Sequence, residues 1–201
     1  MLIKVGSADG ERSGWTVDPM AGGVCDISDL VQPRHVSISR NIEIAESNYR
    51  LVKKITAVGA IAGAIGGAGA GAGAAAGHAK WFYDTVNTGG AWDYKSQTSE
   101  LRPDGATIWE PFGNFHYGVV GAAAGFNRGN TLQRMAGLQQ ETHDFAANLP
   151  VNGGDHGGYA SIIADFAVGR AGGTYPYRDA VADQSLIERG ISYYNAGCHK
   201  K

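Results

Sequence analysis

A run of glycine and alanine in the first half of the chain constrains the fold more than any other feature. Residues 57–77 read AVGAIAGAIGGAGAGAGAAAG, and no charged side chain occurs from residue 55 to residue 77. The length would suffice to cross a membrane, but glycine disfavours a helix by about 1 kcal/mol relative to alanine. Within residues 57–77, the only large apolar side chains are Val58, Ile61 and Ile65.

Three interpretations of this tract stay open. Small residues at intervals of four let helices approach closely, so the tract could be a close-packed buried helix or a flexible linker. It could also contact a membrane transiently through residues 57–77. A permanent transmembrane helix is the third interpretation, and the low hydrophobicity counts against it.

The tract divides the chain of 201 residues into three parts. Residues 1–54 are rich in polar and turn-forming residues at their start and are interpreted as a leader or cap. Residues 55–77 form the glycine/alanine-rich segment. Residues 78–201 are aromatic-rich and are predicted to form one compact domain, which this chain is long enough to build.

Hydrophobic periodicity predicts a mainly α fold with long irregular loops, with an α+β arrangement as the alternative. Apolar residues in 43–58 recur at spacings of seven, four and three, which indicates one face of a helix. The segment VSISRNIEI (36–44) alternates apolar and polar residues and predicts a strand. Further helices are predicted at 79–86, 131–149, 158–173 and 179–194.

The net charge of −2 and the isoelectric point of about 6.3 do not indicate a nucleic-acid or anionic-membrane partner for the whole surface. An enzyme acting on nucleic acid would need local contacts or a bound cation. The sequence contains no GxxxxGK[ST], HExxH, GxSxG or CxxC motif. P-loop enzymes, zincins, α/β-hydrolases and zinc fingers are therefore disfavoured.

The two cysteines, Cys25 and Cys198, match no metal-binding spacing. Unpaired thiols of a protein made in a reducing cytosol are favoured over a bridge between the two ends. The first residues contain no basic segment followed by an apolar core, so no classical signal peptide is predicted. If the protein is secreted, it leaves by another route.

The segment FGNFHYG (112–118) contains the first candidate site. In an extended or turn conformation, Asn114 and His116 would face the same side. Histidine titrates near neutrality and suits acid or base catalysis, and asparagine can orient it or hold a reacting oxygen. Core packing by the aromatic residues, with His116 hydrogen-bonded to the backbone, is the alternative.

Two further segments combine polar residues with glycines. In GGAWDYKSQ (89–97), Lys95 could counter a developing negative charge, with Asp93 two residues before it; an exposed ion pair is the alternative. In NGGDHGGY (152–159), Asp155 and His156 are residue types that bind metals. A solvated glycine-rich loop explains the second segment equally simply.

Asp179 and Asp183 lie four residues apart, which places both carboxylates on one face of the last predicted helix. Two carboxylates so close repel each other, and Mg²⁺ or Ca²⁺ would relieve the repulsion because these ions prefer oxygen ligands. The alternative makes Asp179 an N-cap and places Asp183 favourably in the first turn, near the positive end of the helix dipole.

Three segments occur in an order that resembles the bacterial polymorphic toxin type 44 family. They are WFYDTVNTGGAWDYK (81–95), FGNFHYGVVGAAAG (112–125) and ADQSLIERGISYY (182–194). The resemblance covers about residues 78–195. It implies a toxin exported by contact-dependent or type VI secretion machinery, with nuclease activity and a cognate immunity protein.

The resemblance favours functional roles for Lys95, Asn114, His116 and Asp183, but adds nothing for the 152–159 loop. We therefore expect a secreted antibacterial effector that acts in a target bacterium as a metal-dependent nuclease, with DNA as the favoured substrate. A ribonuclease, a pore-forming toxin that uses the tract and a peptidoglycan hydrolase are the alternatives. The candidate catalytic residues are His116, Asn114, Lys95 and Asp93, and the candidate ligands of Mg²⁺ or Ca²⁺ are Asp179, Asp183, Asp155 and His156.

Overall fold

The computed structural model describes residues 2–4, 15–17, 23–63, 69–103, 105–127, 130–137, 139 and 179–200. Within these ranges the protein is mainly helical, as the periodicity predicts. A two-stranded antiparallel ribbon of β1 (Leu2–Lys4) and β2 (Trp15–Val17) is present near the amino terminus. The helices are α1 (Ile38–Gly63), α2 (Gly69–Val86), α3 (Glu110–Ala123), α4 (131–137) and α5 (Val181–Asn195), with short 3₁₀ helices at Tyr94–Gln97 and Cys198–Lys200.

The strand predicted for 36–44 is wrong, because α1 begins at Ile38. The hydroxyl of Ser37 accepts a hydrogen bond from the backbone N–H of Arg40 (3.3 Å), which stabilises the first turn. Ile38, Ile42 and Ala45 are buried and follow the four- and three-residue spacing of a helix. The same residues therefore fit both the apolar–polar alternation of a strand and the spacing of a helix, and they form a helix.

The apolar face predicted in 43–58 does belong to a helix, but it faces solvent. Leu51 and Val58 are 55% and 66% exposed, and Ile44 and Ile55 are also exposed. The opposite side of α1 enters the core instead. Periodicity therefore identified the helix without identifying the side that packs.

The glycine/alanine tract is helical at both of its described ends, since α1 runs to Gly63 and α2 begins at Gly69. Gly73 and Gly77 are exposed, and a Cβ added at either would meet no atom within 4 Å. The tract is therefore not a close-packed buried helix in this part. In the described part of the chain, no helix combines the length and the apolar character that crossing a membrane requires.

Helices α2 and α5 agree with their predicted positions. α2 ends at Val86, directly before the Asn-Thr-Gly-Gly sequence expected to stop it. α5 covers most of the predicted 179–194 helix. Of the helix predicted for 131–149, residues 131–137 are helical and residues 140–149 lie outside the described residues, as does the helix predicted for 158–173.

The core surrounds α3. Along its inner side the helix buries Phe112, Phe115, Val119 and Val120. Each surrounding helix contributes a fully buried side chain to this core: Ile42 from α1, Phe82 from α2, Leu132 from α4 and Ile187 from α5. α3 is therefore the central element, and its remaining face is available to line a cleft.

Within the segment interpreted as a leader or cap, residues from 23 onward contact the rest of the described protein. Arg189 of α5 donates to both carboxylate oxygens of Asp29 at 2.8 and 2.5 Å. Cys25 and Cys198 form a disulfide bond with a Cα–Cα distance of 5.3 Å, so the preference for unpaired thiols is wrong. The bridge spans 173 residues of sequence, and only the folded chain brings its two ends together.

Candidate functional site

A cleft of about 430 Å³ opens along the outer side of α3, against α5 and the Tyr94–Gln97 helix. The volume lies in the range of small-molecule sites. Its described polar lining residues are Thr88, Asp93, Tyr94, Lys95, Ser96, Thr107, Glu110, Asn114, Tyr117, Gln139, Asp179 and Asp183. Five of the sequence-predicted site residues are among them: Asp93, Lys95, Asn114, Asp179 and Asp183.

The start of α5 brings Asp179 and Asp183 to this cleft together. Asp183 lies in the first turn of α5, as predicted. Asp179 is not the N-cap, because Ala180 occupies that position. The Asp179 carboxylate instead accepts hydrogen bonds from the Ala180 N–H (2.9 Å) and from Gln184 Nε2 (2.6 Å).

The protein environment makes both carboxylates less acidic than usual. Burial, together with the negative charges of Asp179 and Glu110, raises the pKa of Asp183 to about 6, against the opposing effects of Lys95 and Asn114. Burial also raises the pKa of Asp179. The charges of this cleft therefore repel one another, and a cation would be stabilised between them.

Lys95 supplies positive charge to the same cleft from the Tyr94–Gln97 helix. Its ammonium group partly offsets the rise in the pKa values of Asp179 and Asp183. Asp93 lies immediately before this helix and is 3% exposed, so it does not form the exposed ion pair considered from the sequence. Its Oδ2 accepts a hydrogen bond from the Gly89 N–H (2.8 Å), while its Oδ1 has no hydrogen-bond partner among the described residues.

Asn114 and His116 point in different directions, because both belong to α3 rather than to an extended segment. Residues two apart on a helix are separated by about 200° around its axis. Asn114 lines the cleft, where it lowers the pKa of Asp183. Its buried Nδ2 nevertheless makes no hydrogen bond of ordinary length within the described part of the chain.

His116 lies in the core and not in the cleft, with 1% of its surface exposed. Burial lowers its pKa to about 3, so the imidazole is neutral at physiological pH. The amide Nδ2 of Asn41 donates to His116 Nε2 (3.0 Å) and to the hydroxyl of Tyr94 (2.7 Å). The expected arrangement of His116 beside Asn114 is therefore not what α3 provides.

Glu110 and Tyr117 line the cleft but were not among the sequence candidates. With Asn114, they recur at spacings of four and three residues along α3. This is the spacing of one helical face, and it would have indicated them if FGNFHYG had been interpreted as part of a helix. Gln139, from beyond α4, also reaches the cleft, with no local signal in the sequence.

The described residues limit how a magnesium ion could be held. No group of three or more His, Cys, Asp or Glu residues capable of holding a metal occurs in the described ranges. Mg²⁺ is commonly held by only one or two carboxylates, with water and substrate phosphate completing its coordination. Asp179 and Asp183 both line the cleft and could serve as such a pair, whereas the other two predicted ligands, Asp155 and His156, lie outside the described residues.

Comparison with known proteins identifies the domain that contains the cleft. The family model for bacterial toxin 44 matches residues 80–196, which is more than half of the chain. No curated protein and no solved structure matches the sequence. The resemblance inferred from three sequence segments is thus confirmed, and the chain belongs to the bacterial toxin 44 family.

Proposed function

We propose that this toxin domain is a nuclease, with its active site in the cleft between α3 and α5. A divalent cation held by Asp179 and Asp183 would assist hydrolysis of a phosphodiester bond, and DNA of the target bacterium is the favoured substrate. The observation that carries the proposal is the pair of carboxylates with raised pKa values beside Lys95.

The charges of the described cleft residues support a role for a cation. Asp93, Glu110, Asp179 and Asp183 line it, whereas Lys95 is the single lysine or arginine among the lining residues that the structure describes. A phosphodiester would be repelled by this excess of negative charge. Asp179 and Asp183 would hold Mg²⁺, whose positive charge would stabilise the phosphoryl group during hydrolysis. Ca²⁺ needs more oxygen ligands and fits the described residues less well.

The remaining side chains have roles that follow from their positions. Lys95 would donate to a phosphate oxygen and counter its negative charge. Asn114 lies against Asp183 and favours its ionised form, which is the form that binds a cation. His116 is buried away from the cleft, so its part in this proposal is to fix Tyr94 through their shared partner Asn41.

The test is incubation of purified full-length protein with plasmid DNA and with total RNA, in Mg²⁺ and in EDTA. We expect DNA cleavage that EDTA abolishes and that Asp183→Asn lowers by about 100-fold or more, since losing a ligand of the catalytic ion costs several kcal/mol. Glu188→Gln is the matched control, because Glu188 is an exposed carboxylate of the same helix outside the cleft.

The outcomes separate the parts of the proposal. Failure to cleave either nucleic acid with any divalent ion would overturn the proposal that the protein is a nuclease. Cleavage of RNA alone would show that the substrate is RNA and not DNA. Cleavage that persists in EDTA would show that the reaction does not require a divalent cation.

A bacterial toxin acts on a target cell, and its producer needs protection. We propose that a cognate immunity protein supplies this protection and that secretion machinery exports the toxin. Co-expression provides the test. Cytosolic expression of the chain should stop growth of a susceptible bacterium, and the immunity protein from the same genome should restore it.

A further inference from the structure

Three large apolar side chains of α1 are exposed along a single line of the helix. Leu51, Ile55 and Val58 are 55%, 40% and 66% exposed. Their spacings of four and three residues place them within about 60° of one another around the helix axis. These three side chains are called the α1 stripe below. An aligned group of exposed apolar side chains, unlike single scattered ones, marks an interaction surface.

The α1 stripe lies where α1 stands clear of the core. Every residue from 53 to 58 is exposed, whereas Ile38, Ile42 and Ala45 in the first half of the helix are buried. None of the three stripe residues lines the cleft between α3 and α5. A partner could therefore cover the stripe without displacing the core or blocking the cleft.

Basic side chains border the α1 stripe on one side. Counted around the helix axis, Lys54 lies about 60° and Arg50 about 100° from Leu51, and both are exposed. Arg50 also forms an ion pair with Glu46 at 3.0 Å. From residue 47 to residue 83 the sequence contains no aspartate or glutamate. This stretch is therefore cationic, although the whole chain has a net charge of −2.

Aliphatic side chains beside basic ones favour a lipid surface as the partner. A helix lying at the surface of a bilayer buries its apolar side chains at the boundary of the acyl chains, and its basic side chains attract anionic lipids. A nucleic acid would place phosphate groups against the aliphatic stripe. Protein interfaces are commonly centred on tryptophan, tyrosine and arginine, and the stripe itself contains none of these.

We propose that the α1 stripe and its basic border form a membrane-binding face that holds the protein on an anionic phospholipid surface. The second half of α1 would lie in the plane of the interface, with Lys54 extended toward lipid phosphates. Ile44 lies on the same line of the helix, but Glu43 and Glu46 are close to it in sequence, so the contact would not extend that far. The contact does not depend on nuclease activity.

The test measures binding of the full-length protein to lipid vesicles by co-sedimentation. The vesicles contain phosphatidylglycerol and phosphatidylethanolamine, and vesicles of phosphatidylcholine are the neutral comparison. We expect at least about tenfold weaker binding to the neutral vesicles, because each basic side chain close to an anionic membrane strengthens binding about fivefold. Added salt should weaken binding to the anionic vesicles, since it screens this attraction.

A double variant tests the apolar part of the face. Leu51→Gln with Val58→Gln should weaken binding to anionic vesicles at least about tenfold, because two apolar side chains no longer leave water. Val31→Gln with Leu101→Gln is the matched control, since these residues are 53% and 63% exposed outside α1. The control should bind as the unmodified protein does, and thermal unfolding should show that both double variants keep the fold.

Two neighbouring lysines test the orientation of the helix. Lys54→Glu should weaken binding at least about fivefold, because it reverses the charge beside the α1 stripe. Lys53→Glu is the control with the same change of charge. Lys53 lies about 160° from Leu51 around the axis, with its Nζ 5.4 Å from the centre of the Tyr49 ring. This variant should lose less binding than Lys54→Glu.

The membrane-binding face is overturned if anionic vesicles are not bound, if neutral vesicles are bound equally well, or if the double variant of the stripe binds normally. Equal losses in the two lysine variants would show a general attraction of charge and not an oriented face. Loss of DNA-oligonucleotide binding or of self-association in the stripe variant, with vesicle binding unchanged, would assign the stripe to nucleic acid or to a second copy of the chain.

Discussion

Burial shifts the pKa values of His116 and Asp183 in opposite directions. The pKa of the His116 imidazole, ordinarily near 6.5, falls to about 3 because burial in the core disfavours the charged form. The carboxyl of Asp183, ordinarily near 3.8, rises to about 6 through burial and its acidic neighbours. The aspartate therefore titrates closer to neutral pH than the histidine does.

The raised pKa of Asp183 makes a prediction about stability. Because its pKa in the folded protein exceeds that of the unfolded chain, ionised Asp183 destabilises the fold. The penalty is absent below about pH 4, grows as the pH rises to about 6, and is complete above that. Asp183→Asn should therefore raise the free energy of unfolding at pH 7 by about 1–3 kcal/mol.

Urea denaturation in EDTA, at pH 7 and at pH 4, provides the measurement. At pH 4 the variant and the unmodified protein should have nearly the same stability, since the folded protein then carries a neutral Asp183. If the variant gains no more stability over the unmodified protein at pH 7 than it does at pH 4, ionisation of Asp183 does not destabilise the fold.

At the scale of elements, glycines determine how closely α3 and α5 pack. A Cβ added at Gly118 of α3 would overlap the carbonyl oxygen of Ile187, and one added at Gly190 of α5 would overlap the carbonyl oxygen of Phe115. Each helix thus presents a glycine to the backbone of the other. This close contact fixes the position of α5 and, with it, that of Asp183 on the cleft.

Gly190→Ala should destabilise the protein by about 2–4 kcal/mol, because backbone atoms have to move to admit the methyl group. Gly77→Ala is the matched control on α2, where an added Cβ meets nothing within 4 Å. Alanine there should instead stabilise the helix by about 0.5–1 kcal/mol. Thermal and urea unfolding would measure both, and equal tolerance of the two changes would contradict the close contact.

At the scale of the whole molecule, the toxin fold includes residues before the family match begins at residue 80. Ile38 and Ile42 of α1 belong to the core. Asn41 holds Tyr94 and His116 from the same helix. Because Tyr94 lines the cleft, residues preceding the matched domain support the wall of the cleft.

The Cys25–Cys198 bridge should stabilise this arrangement. Replacing both cysteines with serine should lower the free energy of unfolding by about 2–5 kcal/mol, since the bond closes a long loop in the unfolded chain. Dithiothreitol should have the same effect on the unmodified protein and none on the double variant, which has no other cysteine. Free thiols detected in the oxidised, folded protein would contradict the bridge.

Several features were predictable because they depend on neighbours in sequence. Helical periodicity and stop signals placed the end of α2 and most of α5, and the four-residue spacing brought Asp179 and Asp183 to one cleft. The arrangement of the whole site was harder to predict from the sequence. Whether FGNFHYG was a helix or an extended segment decided which of its side chains shared a face, and a sequence rich in glycine and aromatic residues fits both.

The sequence by itself determined the family, the mainly helical class and the residue types available for chemistry, because these depend on composition, local spacing and three ordered segments. Only the tertiary structure decided which side of α1 is buried, that Cys25 meets Cys198, and that Asn114 but not His116 lines the cleft. These outcomes depend on contacts between residues far apart in the chain. Burial and charge at those contacts, rather than residue type, raise the pKa of Asp183 to about 6.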